Sequence, residues 1–112
     1  MKQQTFIKAL PLVAALAIMA SSASVSAQQV VKIGHVGPLT GAIAHLGKDN
    51  ENGARLAVEE INAVGLMIDG KAVKLELVTE DDAGDPKTGT SVAQKLVDAK
   101  VAGIVGHLNS GV

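Results

Sequence analysis

Val30-Val31-Lys32-Ile33-Gly34-His35-Val36, followed by Gly37-Pro38-Leu39-Thr40-Gly41, is the stretch that decides the fold. Its first half is a short β-branched run, the profile of a buried strand, and its second half is a turn that breaks the strand. From about Leu46, apolar residues fall at Leu46, Ala54, Ala57, Val58, Ile61 and Val64, mostly three and four apart. Lys48, Asp49, Glu51, Arg55, Glu59 and Glu60 take other faces. That spacing predicts an amphipathic helix, with Gly65 as its natural stop.

The rest of the chain repeats this unit. Asp69-Gly70 is a hairpin-type turn, so Leu66–Ile68 is expected to pair briefly with the residues beyond that turn. Val73, Leu75 and Leu77 alternate with Lys74 and Glu76, as a strand does. Asp85-Pro86 reads as a helix start, the carboxylate capping and the proline in the first turn. Val92, Ala93, Leu96 and Val97 would line that helix's buried stripe, and residues 102–106 (Ala-Gly-Ile-Val-Gly) would be a third buried strand. Strands separated by helices of this length imply parallel βαβ units with right-handed crossovers. The pattern leaves the strand order open. If the order is 2-1-3, the helices lie on opposite faces, and residues 37–46 confront residues 107–110 at the switch-point crevice.

The first 27 residues read as an export signal rather than as fold. Lys2 and Lys8 precede an apolar run of 12 residues, broken only by Pro11, and Val25-Ser26-Ala27 offers small residues for cleavage after Ala27. The run is too short to span a bilayer, and no Cys follows it to carry a lipid. An exported, soluble, periplasmic protein beginning at Gln28 is expected. That leaves 85 residues with 8 of the 10 basic side chains and all 11 acids, a net charge of −3. Mild acidity argues against nucleic acid or anionic membrane as a partner. The single aromatic residue, Phe6, lies in the signal, and there is no Cys for a disulfide.

Catalytic chemistry finds little support. Gly34, Gly37 and Gly41 do not give the G-x-G-x-x-G phosphate cradle, and no G-K-[ST] follows. Glu80, Asp81 and Asp82 stand where a ribose-binding carboxylate would, but a solvated acidic turn explains them more simply. Asn109-Ser110-Gly111 lacks the glycine of a nucleophile elbow, Leu108 standing in its place. His35, His45 and His107 have no metal-type spacing, and Asp81, Asp82 and Asp85 do not match a calcium loop. Neither a catalytic residue, a metal site nor a cofactor is expected. Binding is favoured, with an exported or mis-assigned nucleotide-binding α/β enzyme as the alternative.

Four blocks also carry a family resemblance: residues 31–41 (Val-Lys-Ile-Gly-His-Val-Gly-Pro-Leu-Thr-Gly); Gly53-Ala54 with residues 57–62 (Ala-Val-Glu-Glu-Ile-Asn); Asp81-Asp82-Ala83-Gly84-Asp85-Pro86; and residues 104–110 (Ile-Val-Gly-His-Leu-Asn-Ser). In this order they resemble the start of the periplasmic branched-chain amino-acid (Leu/Ile/Val)-binding proteins of ABC transporters. The resemblance implies an α/β, parallel doubly wound sheet, the first half of the amino-terminal lobe of a type I periplasmic binding protein. Residues 28–112 would be that partial lobe, with further ligand contacts beyond Val112. It implies capture of a branched-chain or similar amino acid between two lobes, a membrane permease as partner, and a monomer.

Carried over by position, the resemblance sets Ser110 against the ligand's α-carboxylate, with Leu108 and Asn109 on the pocket wall. Leu46 stands where relatives pack an aromatic residue on the ligand side chain. Some relatives carry two cysteines, at the positions of Gly84 and Asn109; here both are absent. Thr40 is read as a turn or cap residue.

Overall fold

The computed structural model describes residues 28–112; the expected export signal and its expected cleavage site lie outside the described residues. The elements are β1 (Gln29–Gly37), α1 (Ala44–Val64), β2 (Leu66–Ile68), β3 (Lys71–Asp81), α2 (Pro86–Asp98) and β4 (Gly103–Val105). They form one four-stranded sheet in the order β2-β3-β1-β4. β1 pairs parallel with both β3 and β4, while β2 and β3 are an antiparallel hairpin. Leaving the hairpin strand aside, this is the 2-1-3 arrangement. Asp69 and Gly70 turn the hairpin at φ 50° and 74°, the left-handed values that a two-residue primed turn demands.

The two helices cover opposite faces. Gly34 and Val36 point toward α2: a Cβ on Gly34 would stand 3.2 Å from Leu96 Cδ1. Val36, Val92 and Leu96 form the buried cluster there, with Val78 and Val101 packed against it. The intervening residue, His35, points to the other face, where its ring and the Gly47 Cα border Gly37. Gly47 lies so close to the Pro38 carbonyl that a side chain has no room, which lets α1 seat directly on the preceding loop. α1 has no side-chain cap at Ile43, and it ends at Gly65, φ 89°, whose N–H donates to the Ile61 carbonyl. α2 starts as expected, Asp85 accepting from the Thr88 amide with Pro86 in the first turn.

Several expectations about burial need correction. The inner face of α1 runs through Ala44, Gly47, Glu51, Ala54, Val58 and Asn62, so Glu51 is buried rather than on the solvated side, while Leu46, Ala57, Ile61 and Val64 are exposed. The reason is pairing: Lys48 and Arg55 each reach a Glu51 carboxylate oxygen at 2.7 Å, so the charge enters the interior already matched. β4 is an exposed edge strand rather than a buried one, because no strand covers its far side among the described residues. Val97 is also exposed and lines an open cleft of about 420 Å³ with Ala93, His107 and Val112.

Candidate functional site

The carboxyl ends of β1 and β3 are level, Gly37 opposite Asp81, and β4 runs on beside them into residues 106–112. Three connections therefore meet at one edge: the loop after β1, the turn after β3 and the segment after β4. This is where open α/β sheets bind ligands.

The β3 connection is not the solvated acidic turn expected from sequence. Glu80 and Asp81 still belong to the strand, and Asp82 is completely buried. Successive strand residues point to opposite sides, and the two aspartates accordingly grip different loops. Asp81 Oδ1 accepts from the Leu39 and Ala83 amides, both at 2.8 Å, and Oδ2 accepts from the Thr40 hydroxyl at 2.7 Å. Partial burial works against its charge, but the Thr40 hydroxyl and the surrounding amides outweigh that and hold its carboxyl below the usual range. Thr40 is thus a turn residue, as expected, and its partner is Asp81.

Asp82 binds in the other direction. Its Oδ1 accepts from the Gly84 amide at 2.8 Å, and its Oδ2 lies 2.8 Å from His107 Nδ1, just past β4. Against a carboxylate oxygen, Nδ1 carries the hydrogen. His107 thus ties the segment after β4 to the end of β3. Continuing the alternation of Val73, Leu75 and Leu77 through Thr79 and Asp81 puts Asp81 and Asp82 on opposite sides, but that period does not name their partners.

The residues carried over by resemblance fall in two places. Asn109 approaches the β3 turn, its Nδ2 3.6 Å from where a Gly84 Cβ would stand, with Ile43 and Pro38 alongside. The two positions that carry cysteines in some relatives are thus neighbours here. Ser110 is exposed at the tip of a turn closed by the Val112 amide on the Asn109 carbonyl, and Leu108 is half-buried before it. Leu46 lies in the first turn of α1 and is exposed; it shares no hydrogen bond with Ser110 among the described residues. His35 is buried with Nδ1 unpartnered among the described residues, and burial pushes its pKa below the ordinary value, with Glu51 opposing. No group of acids, histidines or cysteines suited to a metal ion occurs among the described residues.

A profile of the periplasmic binding protein family matches residues 30–112. The chain belongs to that family.

As a periplasmic binding protein it has relatives of stated ligand. A Leu/Ile/Val-binding protein of Rhizobium johnstonii is 46% identical over 82 residues, covering 73% of this chain and 22% of the relative. Among solved structures, the branched-chain amino acid transporter substrate binding protein LivJ of Streptococcus pneumoniae, in complex with isoleucine, matches with TM-score 0.66 at 39% identity. That match covers 74% of this chain and 23% of the other. A solute binding protein of an ABC transporter from Rhodopseudomonas palustris, holding 3,4-dihydroxy benzoic acid, matches with TM-score 0.54 at 33% identity, over 67% of this chain and 20% of the other. The chain spans less than a quarter of the length of each. The periplasmic binding protein fold, α/β with a mostly parallel sheet, is that of these neighbours. The nucleotide-binding enzyme is not favoured: Asp81 and Asp82 are committed to Thr40, Leu39 and His107 rather than presented to a ribose.

Proposed function

We propose that residues 28–112 are part of the amino-terminal lobe of a longer extracytoplasmic solute-binding protein, which delivers branched-chain or related amino acids to the permease of an ABC importer. One observation carries this reading. Of the four sequence blocks that resemble Leu/Ile/Val-binding proteins, three converge on the carboxyl edge of β1, β3 and β4. The resemblance is thus concentrated where a ligand binds.

An amino-acid zwitterion needs a few fixed donors for its carboxylate, which a hydroxyl and main-chain amides supply. Ser110 is the donor in this reading, with Leu108 and Asn109 beside it and Leu46 toward the ligand side chain. The protein performs no chemistry on its ligand and needs no cofactor or metal; it acts as a monomer whose lobes close by a hinge. Export removes residues 1–27. The full-length protein purified from the periplasm should begin at Gln28 by intact mass and bind leucine, isoleucine or valine saturably by calorimetry. Binding of an aromatic carboxylate such as benzoate, with none of the three amino acids bound, would move the ligand to the class held by the R. palustris neighbour.

A further inference from the structure

The carboxylate of Asp82 does more than shape the turn between β3 and α2, where its Oδ1 accepts from the Gly84 amide. The Asp82 backbone serves that turn too: its N–H donates to the Gly37 carbonyl, and its carbonyl accepts from the Asp85 amide. The side chain is wholly buried and reaches across to His107, 25 positions along the chain. A buried carboxylate gains little net stability over an apolar residue of its size, but a satisfied buried hydrogen bond fixes geometry closely. The His107 ring also packs against α2. A Cβ on buried Gly89 of α2 would stand 3.4 Å from its Cε1, so the helix packs against one edge of the imidazole while the rest of the ring borders the open cleft. Two residues on, Asn109 meets the same turn at Gly84. The β3 turn therefore bonds the segment after β4 at His107 and packs against it at Asn109, which Ser110 follows.

We propose that Asp82, acting through His107, is a positioning residue that sets where Ser110 stands relative to the loop after β1. This rests on the binding-protein reading above. Asp81 holds the opposite border through Leu39 and Thr40. One strand end, with two adjacent acids pointing to opposite sides, thus sets both borders of the crevice. Replacing either acid changes the width of the opening rather than removing a ligand contact.

The test uses the full-length protein carrying this amino terminus. Because a change at fully buried Asp82 threatens folding, the variants are His107→Ala and His107→Asn, the latter placing an Nδ2–H where Nδ1–H stands. Leucine affinity is measured by calorimetry, and amide hydrogen exchange is followed across the chain. His107→Ala should weaken leucine binding roughly tenfold and accelerate exchange in residues 107–112 while sparing α1 and α2; His107→Asn should restore both. Should the parent bind no leucine, the ligand reading falls but exchange still decides: local acceleration reversed by asparagine upholds the positioning. Unchanged exchange in His107→Ala overturns it, as does uniform acceleration that asparagine does not rescue.

Discussion

A single carboxylate, that of Asp81, accepts three hydrogen bonds at 2.7–2.8 Å, from Leu39, Ala83 and Thr40. Bonds to charged groups contribute more than neutral ones, about 1.5–3 kcal/mol each when sheltered. Solvent reaches this carboxylate, so Asp81→Ala should cost about 2 kcal/mol in all. The pH dependence has a definite sign. The folded pKa is lowered from 3.8, so the contribution is fully present above 3.8 and is lost as pH falls through the lower folded value. Urea unfolding of the full-length protein and its Asp81→Ala variant should show the full gap at pH 6, narrowing toward pH 3. A gap that does not change with pH would mean the charge of Asp81 contributes nothing to the fold.

Between elements, the exposed edge of β3 shows how a helix can replace a strand. β2 covers β3 only as far as Val73. Beyond it, Asn62 of α1 donates from Nδ2 to the Leu75 carbonyl and accepts the Leu75 amide at Oδ1, both at 2.8 Å. Asn62→Ala leaves that peptide pair unmatched, and a loss of about 1–3 kcal/mol in unfolding free energy is expected, with faster exchange of the Leu75 amide. Full protection of that amide in the variant would show that water or another group replaces the side chain.

Helix and strand periods, the Asp69-Gly70 turn and the Asp85-Pro86 cap were all readable along the chain, because each depends on residues close together in sequence. The role of Asn62 was not, since its partner lies 13 positions away. Nor was the burial of Glu51: Lys48 and Arg55 stand only one turn away, but their spacing fits a solvated ion pair as well as one turned inward. At the site, the converging segments were legible only on the condition of a 2-1-3 strand order, which the sequence left open, and the interior duties of Asp81 and Asp82 were not legible. An acidic pair at a strand end looks solvated until the loops it binds are in place.

Over the whole molecule, apolar exposure outweighs the core. Val36, Val73, Val92 and Leu96 are the buried apolar side chains, whereas ten large ones, among them Val64, Val97 and Met67, are exposed among the described residues. A layer that buries so little is marginal alone, and both sheet edges, β2 and β4, are open to pairing. An isolated 28–112 polypeptide should therefore melt broadly in far-ultraviolet circular dichroism, and a sharp cooperative transition would contradict this. The central claim, that the segment after β4 holds an amino-acid ligand, is tested most directly by titrating the full-length protein and its Ser110→Ala variant with leucine, isoleucine and valine. Ser110 is exposed on a turn outside the core, so the variant should fold as the parent does. Loss of one hydrogen bond to a charged carboxylate, about 1.5–3 kcal/mol, predicts affinity weakened roughly 10- to 150-fold for every amino acid the parent binds. Unchanged affinity for all of them would contradict the account and leave Ser110 an ordinary loop serine.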